Sequence, residues 1–265
     1  MRIILYLPYY ISIPLLILLT VLITIAGLKI VNRVYKRDVL KETHQITSYI
    51  FNAFGLMFAV LVAFVVYINW SNYDSTQSVV YDEVNHLSNL FHLADGFGDS
   101  LRGEIKNEII NYTDIIQNDD WNSMQNMKQS DKARVSYDKL WNIFLKMDYD
   151  KFPNKTVYHL SAEEVKNLSE SRRTRYFYME DTIPVLIWII LIVGSIMSIL
   201  LSCMFAMNKK SPHYFSVMSF VFINLILLYL IYILDHPFTG RYSISAEPYI
   251  NALSHFRNVM MIIVK

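Results

Sequence analysis

Residues 48–70 read SYIFNAFGLMFAVLVAFVVYINW, and no side chain in this run carries a formal charge. A helix that crosses the hydrocarbon core of a bilayer needs about 20 mainly apolar residues. Helices are the expected form of such a span because a backbone in lipid must satisfy its own hydrogen bonds. The run therefore predicts one membrane-spanning helix, called helix 2 below.

Three other stretches have the same length and character, and they cover residues 9–31, 182–207 and 214–235. The first exceeds the roughly 7–15 apolar residues of a signal peptide, and no A-x-A-like cleavage site follows it, so we expect a retained span. The composition agrees with a membrane protein, since 54% of the residues are hydrophobic and 18% are charged. The formal net charge of +1 gives no reason to expect a nucleic-acid partner.

The middle of the chain, residues 71–181, is polar and acidic, with 19 Asp and Glu against 13 Lys and Arg. Apolar residues recur at helical spacing after Trp70, which predicts that helix 2 continues beyond the bilayer. SAEE at 161–164 has the pattern of a capping box and predicts the start of a helix that leads toward the third span. The sequence thus predicts an all-α integral membrane protein with four transmembrane helices and a helical extramembrane domain inserted between helices 2 and 3.

The tail, residues 236–265, carries apolar residues on one helical face and reads as an amphipathic helix lying on the bilayer or on the middle domain. These residues are Tyr249, Ile250, Leu253, Phe256, Met260 and Ile263.

The short loops between the spans are basic, which bears on orientation. The first contains Arg33, Lys36, Arg37 and Lys41, and the second contains Lys209 and Lys210. The positive-inside rule places such loops in the cytoplasm. We therefore expect a multi-pass protein of the inner (plasma) membrane whose middle domain is extracytoplasmic, although Arg172, Arg173, Arg175 and Arg241 lie on that other side.

No catalytic or metal centre is indicated by the sequence. None of the seven histidines stands four residues from another, and Cys203 is the single cysteine. The adjacent acids Asp82-Glu83 and Asp119-Asp120 point in different directions on a helix, so we interpret them as solvated surface charge. We expect no enzyme activity and no cofactor.

Small residues follow each other at four-residue spacing on two of the spans, which lets helix backbones approach closely. Gly55, Ala59 and Ala63 form such a ridge on helix 2, and Gly194, Ser198 and Ser202 form another on the third span. The ridges serve packing either within one subunit or between subunits. If helix 2 lines a pore, its phase makes Asn52, Ala59, Ala63 and Asn69 the candidate lining residues. The absence of charge in mid-membrane argues against a proton-coupled transporter and leaves a passive pore with a hydrophobic constriction.

The fourth span ends in LDHPFTGRYS, residues 234–243. Pro237 stops the helix, Gly240 permits a turn with positive φ, and Phe238 is expected to anchor at the membrane interface. Arg241 is close enough in sequence to pair with Asp235, so we expect an exit turn held by one ion pair.

Several motifs, in order, resemble those of the bestrophin-like domain family of bacterial membrane proteins. LDHPFTGRYSISAEPY resembles its D-x-P-F-x-G segment, and Trp70, Tyr73 and Glu83 after helix 2 match its Trp, Tyr and Glu. DDWNSM resembles its acid-Trp-x-x-Met motif through Asp120, Trp121 and Met124, and RRTRYFYMEDTIPVLIW resembles its approach to the third span. The resemblance covers roughly residues 45–255.

This resemblance implies a distant similarity to bestrophins, which are pentameric chloride channels with four spans per subunit. In bestrophins the corresponding turn leads into an acidic cluster that binds calcium, whereas here Glu247 is the only acid that follows Gly240, so no calcium clasp is expected. Bestrophins also hold their large domain in the cytoplasm, against the orientation predicted from the loops. The functional hypothesis is a homo-oligomeric passive ion channel with helix 2 lining the pore, and the resemblance implies anions as the ions that pass. The alternative is a non-conducting membrane scaffold or sensor whose acidic domain binds a partner.

Overall fold

A computed structural model describes residues 2–147, 154–205 and 210–263, and every described element is helical. The chain divides into two compact units. The first consists of the chain up to Ser71 together with Ile183–Asp235, and the second consists of Asn72–Thr182 together with the chain from His236 onward. Each unit is described separately below.

The first unit is built from long apolar helices and one short connecting helix. They are α1 (Tyr9–Val34), α2 (Arg37–Glu42), the first part of α3 (His44–Leu93), α8 (Val185–Cys203) and α9 (Lys210–Leu234). Among the described residues, α1, α3, α8 and α9 are long and apolar enough to cross a membrane, which agrees with the four predicted spans. Their large apolar side chains are widely exposed, with Leu22 at 55% and Leu186 at 67%, as lipid-facing residues are.

Two apolar clusters hold the first unit together. One joins α1, α8 and α9 through Leu28, Val31, Ile199, Val217 and Val221, and the other joins α3, α8 and α9 through Val62, Val65, Leu191 and Ile231.

The second unit is a bundle of helices around one large core. Its elements are the second part of α3, α4 (Asp99–Ile115), a π-helix (Ile116–Asp120), α5 (Trp121–Met124), α6 (Asp131–Leu145), α7 (Lys155–Glu180) and α10 (Glu247–Ile263). The tail helix α10 belongs to this unit, because Tyr249 and Phe256 are fully buried in its core and Arg257 bonds Asp114 of α4 at 2.8 Å. Of the two expected locations of the tail, the one on the middle domain is therefore the one observed.

Helix α3 continues without interruption to Leu93, as predicted, and a 3₁₀ turn at Ala94–Gly96 follows it. The capping-box prediction at 161–164 is wrong. Helix α7 begins at Lys155, where the side chain of Asn154 accepts from the Val157 amide, and Ser161 is a buried mid-helix residue. The expected continuation toward the third span is also interrupted, because α7 ends at Glu180 and Pro184 precedes the first residue of α8.

The predicted end of the third span at residues 206–207, the loop lysine Lys209 and the last two residues of the tail lie outside the described part of the chain. The side chain of Lys210 lies outside it as well.

Candidate functional site

In the first unit, one face of α3 borders a groove of about 610 Å³ that α8 and α9 complete. The α3 residues along it include Gly55, Ala59 and Ala63, whose small side chains leave the space open. The remaining lining is mainly apolar: Phe58, Val62, Val66, Tyr67, Trp70, Ser195, Ser198, Phe220, Ile223, Asn224, Leu227 and Leu228. The first small-residue ridge thus lines the groove along its length, and the second ridge contributes Ser198 to it.

The four candidate pore residues lie in different surroundings. Ala59 and Ala63 are exposed and line the groove, and Asn52 is exposed farther toward the start of α3. Asn69 is buried, and its side-chain amide donates to the Val65 carbonyl of its own helix at 2.7 Å. The phase of α3 therefore brings Asn52, Ala59 and Ala63 onto one open stripe and leaves Asn69 on the packed side.

The two glycines of the ridges have opposite surroundings. A Cβ added at Gly194 would overlap the ring of Phe58, so α8 and α3 approach closely only because residue 194 has no side chain. A Cβ added at Gly55 would meet no atom within 4 Å. Ser198 and Ser202 donate back to the Ser195 and Ile199 carbonyls of α8, which satisfies both hydroxyls within the helix.

Asp235, at the end of α9, stabilises the beginning of α8. Its carboxylate accepts from the Ile183 amide at 2.6 Å and from the Trp188 indole at 3.3 Å. Amides ahead of a helix have no intrahelical partner, and a carboxylate is favoured at that positive end. The ion pair between Asp235 and Arg241 stays a prediction, and Arg241 is exposed.

The segment after Pro237 folds into the second unit. Gly240 has φ of 91°, as its position in the turn predicts, and the Ile244 amide bonds the Pro237 carbonyl at 2.8 Å. Phe238 is not an interfacial anchor as expected; it is 2% exposed and packs edge-on against Trp121 with ring centres 5.5 Å apart. The Trp121 indole also donates to the Ile244 carbonyl at 3.2 Å, so one ring contact and one hydrogen bond of Trp121 hold this turn.

Two further bonds hold the same segment. The Tyr73 hydroxyl donates to the Tyr242 carbonyl at 3.1 Å, and the Thr239 hydroxyl donates to the Gln125 carbonyl at 3.0 Å.

A fully buried ionic cluster lies in the core of the second unit, and we call Glu83, Asp120 and Arg175 the buried triad. The Nε of Arg175 donates to Glu83 Oε2 at 2.7 Å, and its Nη1 donates to Asp120 Oδ2 at 2.9 Å. All three side chains are 0% exposed. Asp120 also accepts from the Ser130 amide at 3.0 Å, so the triad links α3, the π-helix, the start of α6 and α7.

Three tyrosines surround the triad. Tyr112 donates to Glu83 at 2.9 Å and Tyr176 donates to Asp120 at 2.8 Å, while Tyr249 is fully buried on α10. Burial raises the pKa of Tyr176 to about 12, and burial followed by the charge of Glu83 raises the pKa of Tyr112 and of Tyr249 well above the usual value. Burial alone would lower the pKa of Arg175, but attraction by Glu83 and Asp120 leaves it well above normal.

Arg172 adds a second positive charge beside the triad. Its guanidinium stacks over the rings of Tyr137 and Tyr176 at 4.9 Å and 5.0 Å from their centres. Arg172 is partly buried, so its positive charge lies at the edge of the core beside the triad.

The interpretation of the adjacent acids as solvated charge is wrong for one member of each pair. Glu83 and Asp120 are buried, whereas Asp82 is exposed and Asp119 is partly exposed and pairs with Lys132 at 2.8 Å. The sequence held one signal of this, since Glu83, Asp120 and Trp121 belong to the motifs that carried the family resemblance. Among the described residues, no group of three or more His, Cys, Asp and Glu can hold a metal ion.

Known proteins of one family are similar to this chain in sequence profile and in fold. The chain matches the family profile described as the Bestrophin-like domain over residues 18–249. No curated protein matches its sequence. Two solved structures of variants of a bacterial bestrophin homologue from Klebsiella pneumoniae are similar in fold. One has a TM-score of 0.71 at 13% identity, covering 95% of this chain and 97% of its own, and the other has 0.67 at 15%, covering 92% and 98%.

A third solved structure, of a variant membrane protein, has a TM-score of 0.69 at 14% identity and covers 96% of this chain and 98% of its own. At such identities the likeness concerns the fold.

Proposed function

This chain belongs to the family described by the Bestrophin-like domain, and from that premise we propose that several copies of it assemble into a passive ion channel, with anions as the expected cargo. The chain is a membrane protein with four candidate spanning helices.

The observation that carries the proposal is the exposure of α3. Of the most apolar part of each candidate span, 28% is buried in α1, α8 and α9, but only 11% is buried in α3. A helix that borders a pore at the axis of an oligomer must be open within one subunit, because other copies and the pore itself contact it. We therefore assign α3, rather than another span, to the pathway.

The open stripe of α3 supplies the proposed lining. Asn52, Ala59 and Ala63 face the pathway with small or polar side chains, and the exposed Val60 and Phe64 beside them provide an apolar constriction. Such a constriction closes by dewetting and opens without any charged relay. Asn69 fits this role less well than the other three, because its amide is already bonded to Val65.

The second unit, in this proposal, is a rigid support. Glu83 and Trp121 from the family motifs hold the unit together, and Tyr73 and Phe238 secure the segment after α9. We propose that Asp235 and Arg241 brace that turn, and that Gly55 admits a helix of a second copy.

From the basic charges of the short loops, we propose that these loops lie in the cytoplasm and that the acidic domain lies outside. A reporter fused to the C-terminus tests it, since activity of a periplasm-dependent reporter supports this orientation and activity of a cytoplasm-dependent reporter reverses it.

Flux through liposomes tests conduction. We expect the purified full chain to dissipate an anion gradient, and an Ala63→Cys variant to lose flux after reaction with a bulky charged thiol reagent. Leu22→Cys is the matched control, because Leu22 is 55% exposed on α1 and its modification should leave flux unchanged. Wild type treated with the reagent controls for Cys203, which is buried.

The rival function is a non-conducting scaffold or sensor that binds a partner through its acidic domain. An oligomer that is correctly folded in liposomes, yet passes neither anions nor cations under any gradient, would establish the rival and end the channel proposal.

A further inference from the structure

Four aromatic rings form a paired arrangement where α3 meets α10 in the second unit. Phe91 stacks on Phe256 with ring centres 4.5 Å apart and planes inclined by 15°, and both side chains are fully buried. The next residue on α3, His92, faces the preceding residue on α10, His255, with ring centres 6.2 Å apart. The buried phenylalanine pair thus fixes the separation of two imidazoles that lie above it.

Both imidazoles are open to solvent and available to a ligand. His92 and His255 are exposed, and within the described part of the chain neither forms a hydrogen bond or an ion pair. A neutral imidazole offers one nitrogen lone pair to a metal ion. Two neutral imidazoles held on different helices are a chelating arrangement.

We propose that His92 and His255 together bind one divalent transition-metal ion of the Zn²⁺, Ni²⁺ or Cu²⁺ class. A metal–nitrogen bond is about 2.0–2.1 Å, and the nitrogen lies about 1.1 Å from its ring centre, so a bridging metal sets the two centres about 5.2 Å apart at a tetrahedral angle and about 6.4 Å apart when the two bonds are in line. The observed 6.2 Å lies between these two separations. Imidazole favours these ions over Mg²⁺ and Ca²⁺, which take oxygen ligands.

Water completes the coordination, because the described residues include no group of three or more His, Cys, Asp and Glu suited to a metal. The bound ion clamps α10 to the end of α3. A ligand that binds the folded state alone stabilises it by mass action, so the clamp raises the unfolding temperature of the chain. This inference is independent of whether the protein conducts ions.

Metal titration of the full chain, purified in detergent without a polyhistidine tag, tests the site. We expect ZnCl₂ to bind at one ion per chain by calorimetry and to raise the unfolding temperature, while MgCl₂ does neither. His92→Ala and His255→Ala should each abolish both effects. His159→Ala is the matched control, since His159 is exposed on α7 of the same unit and its loss should change nothing.

Two additional measurements separate the site from a general effect on folding. Zn²⁺ binding should weaken as the pH is lowered, because protons compete with the metal for the imidazole nitrogens. With CuCl₂, electron paramagnetic resonance should report two nitrogen ligands in wild type and one in His255→Ala. Unchanged one-to-one binding in the double variant, or no stoichiometric binding by wild type at micromolar ZnCl₂, would overturn the proposal.

Discussion

Arg175 determines whether the core of the second unit is electrostatically satisfied. Within the described part of the chain it is the only guanidinium that contacts both Glu83 and Asp120, and neither carboxylate is accessible to water. Removing one partner of a buried pair leaves an uncompensated charge, which is far more costly than losing an exposed ion pair.

We therefore expect Arg175→Met to destabilise the protein by about 3–5 kcal/mol. Denaturant unfolding of the full chain in detergent, followed by circular dichroism, measures this loss. Arg173→Met is the matched control, because Arg173 lies two residues away on the exposed face of α7 and should cost less than about 0.5 kcal/mol. Equal effects of the two substitutions would contradict the role assigned to the triad.

The tyrosines around the triad predict the behaviour at alkaline pH. Folding raises the pKa of Tyr176 from 10.0 to about 12, so between these values the folded state keeps a proton that the unfolded state has lost. Stability from Tyr176 is therefore complete below pH 10 and is lost as the pH rises toward about 12. Tyr112 and Tyr249, whose pKa values are also raised, act in the same direction.

Titration of tyrosinate absorbance in the near ultraviolet checks this expectation. A subset of tyrosines should ionise only when circular dichroism shows unfolding, and Tyr176→Phe should remove one member of that subset. If all tyrosines titrated together near pH 10 in the folded protein, the burial described for these residues would be wrong.

At the scale of elements, the close contact of α3 and α8 depends on Gly194. Because an added Cβ would overlap Phe58, Gly194→Ala should separate the two helices and lower the unfolding temperature, with a cost of about 1–3 kcal/mol. Phe58→Leu in the same chain should recover part of that loss by making room. Gly55→Ala is the matched control, since nothing lies within 4 Å of the new methyl group and Ala is the better helix former.

The elements also show where the sequence was informative. The apolar runs predict α1, α3, α8 and α9 because a span is a local property of about 20 residues. The start of α7 was missed because the acids of SAEE fit a capping box, whereas Asn154 provides the cap that is used. The stabilisation given by neighbouring capping signals differs by less than the packing energy of a helix. Local pattern alone therefore does not determine which signal is used.

The triad could not be predicted from local pattern, because its members are far apart in sequence. The Arg175 pair with Glu83 spans 92 residues and its pair with Asp120 spans 55. The π-helix at Ile116–Asp120 adds to the difficulty, since it changes the phase of the chain just before Trp121 and shifts which acid points inward. Only the family motifs singled out these residues, and they carried no indication that the residues meet.

At the scale of the whole molecule, the unequal burial of the spans argues for assembly. Lipid explains exposed leucines on any span, but it does not explain why α3 combines the lowest burial with a ridge of Gly55, Ala59 and Ala63 beside an open groove. Without a hydrophobic driving force in lipid, helices associate by close packing along such small residues. The first unit therefore leaves unoccupied the surface best suited to another helix.

We expect the chain, 31.1 kDa as a monomer, to run as a homo-oligomer in mild detergent, with its mass measured by light scattering corrected for bound detergent. Gly55→Trp should shift the population toward monomer, because a large ring fills the groove that the neighbouring helix needs. Leu22→Trp on α1 adds the same ring at a lipid-facing position and should leave the mass unchanged. A wild-type monomer at all concentrations, or equal dissociation by both substitutions, would show that α3 faces lipid rather than another copy. The pore proposed along α3 could then not form, because it needs helices from several copies.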